Sequence, residues 1–124
     1  MAFDIIIHGD EHILEVVYPT VASEADVSHY AARVRQTIDS MGESWTALVD
    51  QRQLRALPRE LMSTLAGLNA YAQLKGMQRS ARVVPDAAAG LQAWRMTKQA
   101  LLSVPARTFE SREEAIAWLR DPAP

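Results

Sequence analysis

Cysteine is absent from this 124-residue chain, and that absence removes disulfides, iron–sulfur clusters, thiolate zinc sites and cysteine nucleophiles together. Charge of one sign is also lacking, since 13 bases against 15 acids leave a formal net charge of −2. So small an imbalance argues against nucleic acid as the default partner. No apolar run approaches the ~20 residues of a membrane-spanning helix. The first run, Phe3 to Ile7, has no basic lead and breaks at His8-Gly9-Asp10-Glu11, too early for a signal peptide. These features predict a cytoplasmic protein with no integral membrane segment. Gly-x-Ser-x-Gly, Walker-type, Gly-x-Gly-x-x-Gly and His-Glu-x-x-His spacings are missing as well, so no motif supports an enzyme and no cofactor is called for.

What is present is an ordinary globular composition, 48% hydrophobic and 23% charged, in a length that suits one core. We expect one α/β domain over residues 1–120 and a disordered tail, Asp121-Pro-Ala-Pro, at 121–124. The charge is unevenly spread. Residues 1–44 carry eight acids and two arginines, whereas residues 45–124 carry seven acids and eleven bases. Such a split steers an acidic partner to one end of the molecule.

Phe3 to Ile7 and Ile13 to Tyr18 are β-branched and apolar around a short polar link, which predicts an antiparallel hairpin. Ser23 offers an N-cap with Asp26 three residues on. Val27, Ala31, Val34, Ile38 and Met41 then recur at helical spacing until Gly42. Trp45 to Asp50 is nearly all apolar, as a central parallel strand buried on both faces requires. A second helix starts at Pro58, buries Leu61, Leu65, Leu68 and Ala72, and stops at Gly76. Ser80 to Val84 is the next strand, and Pro85-Asp86 caps a third helix with Ala87, Leu91, Trp94 and Leu101 inward. Ala106 to Phe109 is the last strand. Ser111 and Glu114 have capping-box spacing at the head of a final helix with Ala115, Ile116 and Leu119 on its apolar stripe. The order is β-β-α-β-α-β-α-β-α, and right-handed crossovers wind it into a mostly parallel sheet in sequential strand order.

That order, with Ala106-Arg-Thr-Phe109 before a capped helix ending in Ala-Trp-Leu119 and with Trp45-Thr-Ala-Leu-Val-Asp50 at the centre, resembles the SpoIIAA-like branch of the STAS fold, which includes the anti-sigma-factor antagonists. The resemblance spans nearly the whole chain. It implies a five-stranded, mostly parallel sheet with an antiparallel N-terminal edge strand and crossover helices. It also implies a non-enzymatic regulatory or protein-interaction domain. The antagonists carry a phosphorylatable serine or threonine at the start of the helix after the central strand, in an Asp-Ser-Ser-Gly-like context. Here that stretch is Asp50-Gln-Arg-Gln-Leu-Arg-Ala-Leu-Pro-Arg-Glu60, with no hydroxyl residue before Ser63, so a kinase-controlled switch is not expected there. The strand and helix order also resembles the lipid-binding SEC14 domains, although this chain lacks the length they use to enclose a lipid.

Asp50, Arg52, Arg55 and Arg59 fall at the carboxyl end of the central strand, the edge where open α/β sheets bind ligands. Together with Asp86 they form the candidate anion- or partner-binding site, because arginines at a helix N-terminus suit a phosphate or a partner's carboxylate. The opposing reading makes them solvated surface charges. A receiver-type phosphoacceptor role for Asp50 fails on its companions: Asp10 and Glu11 sit in the hairpin turn, and the last strand supplies Arg107 but no lysine. His8, Asp10 and His12 flank the same turn but fall short of the four ligands of a closed metal site. Trp45, Trp94, Trp118, Met62, Met77 and Met96 are read as core, with a small-molecule or lipid carrier using an apolar pocket between sheet and helices as the alternative. A protein partner or a homodimer is expected, the latter if all helices stack on one sheet face and leave the other open.

Overall fold

The computed structural model describes residues 3–55, 59–89, 91 and 104–121, the side chains of 59–62 excepted. Its five strands are β1 (Asp4–His8), β2 (Ile13–Val17), β3 (Trp45–Asp50), β4 (Met77–Val83) and β5 (Ala106–Phe109). They form one sheet in the order β1-β2-β3-β4-β5. β1 runs antiparallel to β2 and every other pair is parallel. Sequential order follows from repeating one right-handed crossover without a reversal. β4 starts at Met77, three residues ahead of the expected Ser80, because Met77 pairs with Trp45 and Arg79 with Thr46, the register slipping past Gln78 between them. The hairpin link is a 3-10 turn, Gly9–Glu11, closed by His12 in the left-handed region at φ 54°.

Helix α1 (Glu24–Ser40) opens with the full reciprocal cap. Ser23 Oγ accepts from the Asp26 amide, and the Asp26 carboxylate accepts from the Ser23 amide. It buries Val27, Tyr30, Val34 and Ile38, so Tyr30 lies deeper than the expected Ala31. Helix α2 (Arg59–Leu74) buries Leu65, Leu68 and Ala72. Its exit at Gly76 has φ +110°, and a Cβ there would lie 2.2 Å from the Glu43 carbonyl oxygen. Pro58 and most of the third expected helix lie outside the described residues, although 87–89 and 91 are helical. Helix α3 (Arg112–Arg120) is capped by half of the expected box. Ser111 Oγ accepts from the Glu114 amide at 3.3 Å, but the Ser111 hydroxyl donates to Glu113, one residue nearer, in place of a return bond from Glu114.

The sheet is covered on both faces. Leu14, Val16, Trp45, Ala47 and Met77 point towards α1 and α2, in one cluster with Val34, Ile38, Leu65 and Leu68. Ile13, Leu48, Ala81 and Val83 point the other way, onto Ala115 and Leu119 of α3. The helices thus do not all stack on one face, so the open-face condition attached to a homodimer is not met. Both apolar periods follow the alternation of a pleated strand. The tail expected to begin at Asp121 is anchored at its first residue, whose amide bonds to the Trp118 carbonyl and whose carbonyl accepts from Arg79.

Candidate functional site

Val17 and Asp50 are register partners at the carboxyl ends of β2 and β3, as are Glu15 and Leu48. Side chains two apart share a face, so Glu15 and Asp50 both lie on the α3 side of the sheet. The two carboxylates are buried, with 4% and 7% of their side-chain surface exposed, and each is met by an arginine.

Asp50 Oδ1 accepts from the Arg52 amide at 3.1 Å and from its Nε at 3.0 Å, while Oδ2 accepts from Nη2 at 2.8 Å. This fork is a local consequence of the chain doubling back after β3. Burial pulls the Asp50 carboxyl upward, but the bonds from the Arg52 side chain and amide outweigh it and leave Asp50 below its ordinary value. The loop is fixed at three further points. Gln51 N donates to Val83 O at 2.8 Å, Leu54 N to Gln51 O at 3.2 Å, and Arg55 N to Thr20 O at 2.9 Å.

Glu15 receives a second fork. Arg112 Nε donates to Oε2 at 3.0 Å and Nη2 to Oε1 at 2.8 Å. His8 Nε2 lies 2.8 Å from the same Oε1. Hydrogen bonding from Arg112 overcomes burial and holds the Glu15 carboxyl below its ordinary value. The two pairs are within electrostatic reach: Arg112 acts on Asp50, and Arg52 feels Glu15 and Glu113. The result is a fixed lattice of two buried carboxylates and two arginines.

Of the five site residues expected from sequence, the structure joins Asp50 and Arg52 to each other. The charge of Arg52 is thereby largely spent inside the molecule. Arg55 is exposed, Arg59 begins α2 with its side chain outside the described residues, and Asp86 is exposed. Asp86 Oδ1 accepts from the Ala89 amide at 2.9 Å, which is the capping role expected of it. Glu15 and Arg112 were not among the expected site residues. Glu15 had a signal, being a lone charge inside the apolar stretch Ile13 to Tyr18. Arg112 carried none, because its partner lies on a strand at the other end of the sequence.

The hairpin histidines do not converge. His8 turns to Glu15, and Glu11 pairs with Arg120. Among the described residues no group of three or more His, Asp or Glu is placed to hold a metal ion. The charge split along the chain is partly resolved by these contacts, since acids of β2 and the hairpin turn are neutralised by arginines of α3. Trp45 is buried with its Nε1 donating to Lys75 O at 3.1 Å. Trp118 stacks beneath Arg79 and Arg107. Both therefore have structural partners, and the apolar space between sheet, α1 and α2 is a cavity of about 50 Å³. A wider open groove, of about 680 Å³, lies at the amino edge between His12, Thr46, Arg79 and Trp118.

A family model described as SpoIIAA-like matches residues 13–120. No curated protein matches. Among solved structures, an uncharacterised DUF3478-family protein with a SpoIIAA-like fold from Shewanella loihica PV-4 superposes with a TM-score of 0.75 at 16% identity, over 95% of this chain and 92% of that one. The anti-sigma factor antagonist SpoIIAA in its unphosphorylated form superposes with a TM-score of 0.70 at 14% identity, over 96% and 98%. At these identities the likeness is one of fold. No helix among the described residues is long and apolar enough to cross a membrane.

Proposed function

This chain belongs to the SpoIIAA-like family, and from that premise we propose that it is a non-enzymatic regulatory domain acting by protein association, without a phospho-switch at the β3–α2 loop. The observation that carries this reading is the Asp50–Arg52 fork. The segment where the antagonists place a phosphorylatable hydroxyl residue is here Asp50 to Arg55, with the aspartate buried and held by three hydrogen bonds from Arg52. A segment pinned in this way offers a constant surface rather than one remodelled by a new dianion. Arg55 and the outer edge of Arg52 are exposed and are the groups we take to meet a partner, with Arg59 and Asp86 as the further members expected from sequence. The positive charge of the arginines favours an acidic surface.

The test is capture of partners from the native host with wild-type protein and with an Arg55→Gln/Arg59→Gln variant, both checked for an unchanged melting temperature. A partner retained by the wild type and lost by the variant supports the reading. Equal capture by both removes the loop from the interface.

The carrier alternative gains little from the described cavity. Ligand pockets generally span about 300–1,000 Å³, and about 50 Å³ does not admit a lipid.

A further inference from the structure

Arg82 is a charged residue in a place built for apolar ones. It stands on β4 between Ser80 and the strand end, registered with Val49 of β3, on the face turned towards α1 and α2. It is 6% exposed. Its Nε and Nη1 meet no hydrogen-bond partner among the described residues, and neither does Nε2 of the equally buried Gln51. The groups acting on its charge are burial, then Tyr18 and Tyr30; no carboxylate is among them.

A guanidinium cannot shed its proton to escape burial. An uncompensated buried charge is among the costliest features a fold can hold. A water molecule would satisfy an N–H but leave the charge uncompensated. Glu60 is the single acidic side chain of the sequence that is not described, and residues 92–103 contain no Asp or Glu. A counter-ion supplied from beyond the described residues is what the electrostatics call for.

The surroundings narrow its chemistry. Arg82 lines the cavity of about 50 Å³ together with the polar groups of Tyr18, Tyr30, Asn69 and Ser80. A single water needs about 10–15 Å³ measured in this way, so the space of about 50 Å³ suits about three to five water-sized atoms. Val34, Leu65 and Leu68 form apolar wall, which suits an alkyl group and not a second charge. A doubly charged phosphate would face one guanidinium and an apolar wall. We propose that the cavity between the sheet and helices α1 and α2 binds a small monocarboxylate of acetate or propionate size, with Arg82 as its counter-ion. Its carboxylate sits against Arg82 and its carbon end against the aliphatic wall. This inference stands independently of the protein-association reading.

The test compares thermal unfolding in sodium acetate, propionate, octanoate, phosphate and chloride at equal ionic strength, for wild type, Arg82→Met and Glu60→Gln. Acetate or propionate should raise the wild-type midpoint by about 5 °C over chloride at ten times the dissociation constant, and Arg82→Met should abolish the shift. Glu60→Gln should keep it. A shift equal in chloride, an equal or larger shift in octanoate or phosphate, or a shift retained in Arg82→Met overturns the proposal. So does a carboxylate effect that appears only in Glu60→Gln, which would make Glu60 the internal counter-ion. Should Arg82→Met fail to fold, ¹³C-labelled acetate and propionate titrated into wild type decide the matter. Cross-relaxation between propionate and the Val34 or Leu65 methyl groups supports the site, and its absence at saturating ligand refutes it.

Discussion

Arg112, the first residue of α3, closes on Glu15 of β2 through two hydrogen bonds of 2.8 and 3.0 Å across 97 positions of sequence. The pair fastens the last helix to the sheet at the same edge where Asp50 and Arg52 lie. Arg112→Met should therefore strand the Glu15 carboxylate with His8 alone. Removing one partner of a fully buried pair costs about 3–5 kcal/mol. Because Arg112 remains about a third exposed, we expect about 2 kcal/mol, read as a lower urea midpoint at constant slope. Adding Glu15→Gln should recover part of that loss, and a double-mutant cycle without coupling would deny the pair its role.

The same carboxylates set the acid limb of stability. Glu15 and Asp50 both titrate lower when folded than their ordinary values of 4.5 and 3.8. The folded state then binds fewer protons, so acid favours unfolding. Their contribution is complete above those ordinary values and disappears as pH falls through the lowered folded ones. Glu11, Asp26 and Glu113 are lowered too, so the limb will not vanish in any single variant. Urea midpoints measured between pH 6 and pH 3 should fall less steeply for Glu15→Gln than for wild type. Parallel curves would contradict the assignment.

Two glycines with positive φ separate conformational strain from steric overlap. Gly42, at φ +87°, has open space where a Cβ would go, whereas at Gly76 the Cβ would meet the Glu43 carbonyl. Gly42→Ala should cost about 1 kcal/mol from the backbone alone. Gly76→Ala adds the displacement of the Glu43 backbone and should cost about 3 kcal/mol. Equal midpoints for the two variants would show that the Glu43 carbonyl can move aside freely.

At the head of α3 the cap depends on Ser111 and not on Glu114. Ser111→Ala should lower stability by about 1 kcal/mol, while Glu114→Ala should cost no more than the ~0.5 kcal/mol of a first-turn carboxylate. A loss in Glu114→Ala as large as that in Ser111→Ala would restore the reciprocal box.

Local signals were legible and long-range ones were not. The hairpin, the Ser23 box, the buried stripe of α1 and the order of five strands follow from neighbours within a few residues. Each rests on period, capping chemistry or crossover handedness. The Asp50–Arg52 fork was half legible: both residues stood out, but their two-residue separation did not say that they satisfy each other. Glu15 needed a partner from the other end of the chain, which no periodicity reveals. Arg82 was hidden for a different reason. In Met77 to Val83 it sits among polar and small residues, and only the pleat assigns it to the face beneath Tyr18 and Tyr30. The final helix was legible in its cap and in its buried Ala115 and Leu119, but the character of its stripe does not say which side of the sheet it will cover.

The sequential strand order bears on how the chain is made. During synthesis each new βα unit finds its pairing edge already formed by the unit just before it, so the sheet can grow strand by strand from the N-terminal hairpin. Only the β1–β2 hairpin is local; each parallel pairing, such as Glu15 with Leu48, waits for a whole crossover helix to close and is correspondingly slower. The α3 helix breaks the pattern, for its Arg112 and Arg120 return to Glu15 and Glu11. Until it docks, Glu15 and the apolar row Ile13, Leu48, Ala81 and Val83 have no cover from it. A nascent chain stalled before Arg112 would thus expose an adhesive face that the finished protein hides, and release of the last helix is the step at which the newborn molecule becomes safe from its neighbours.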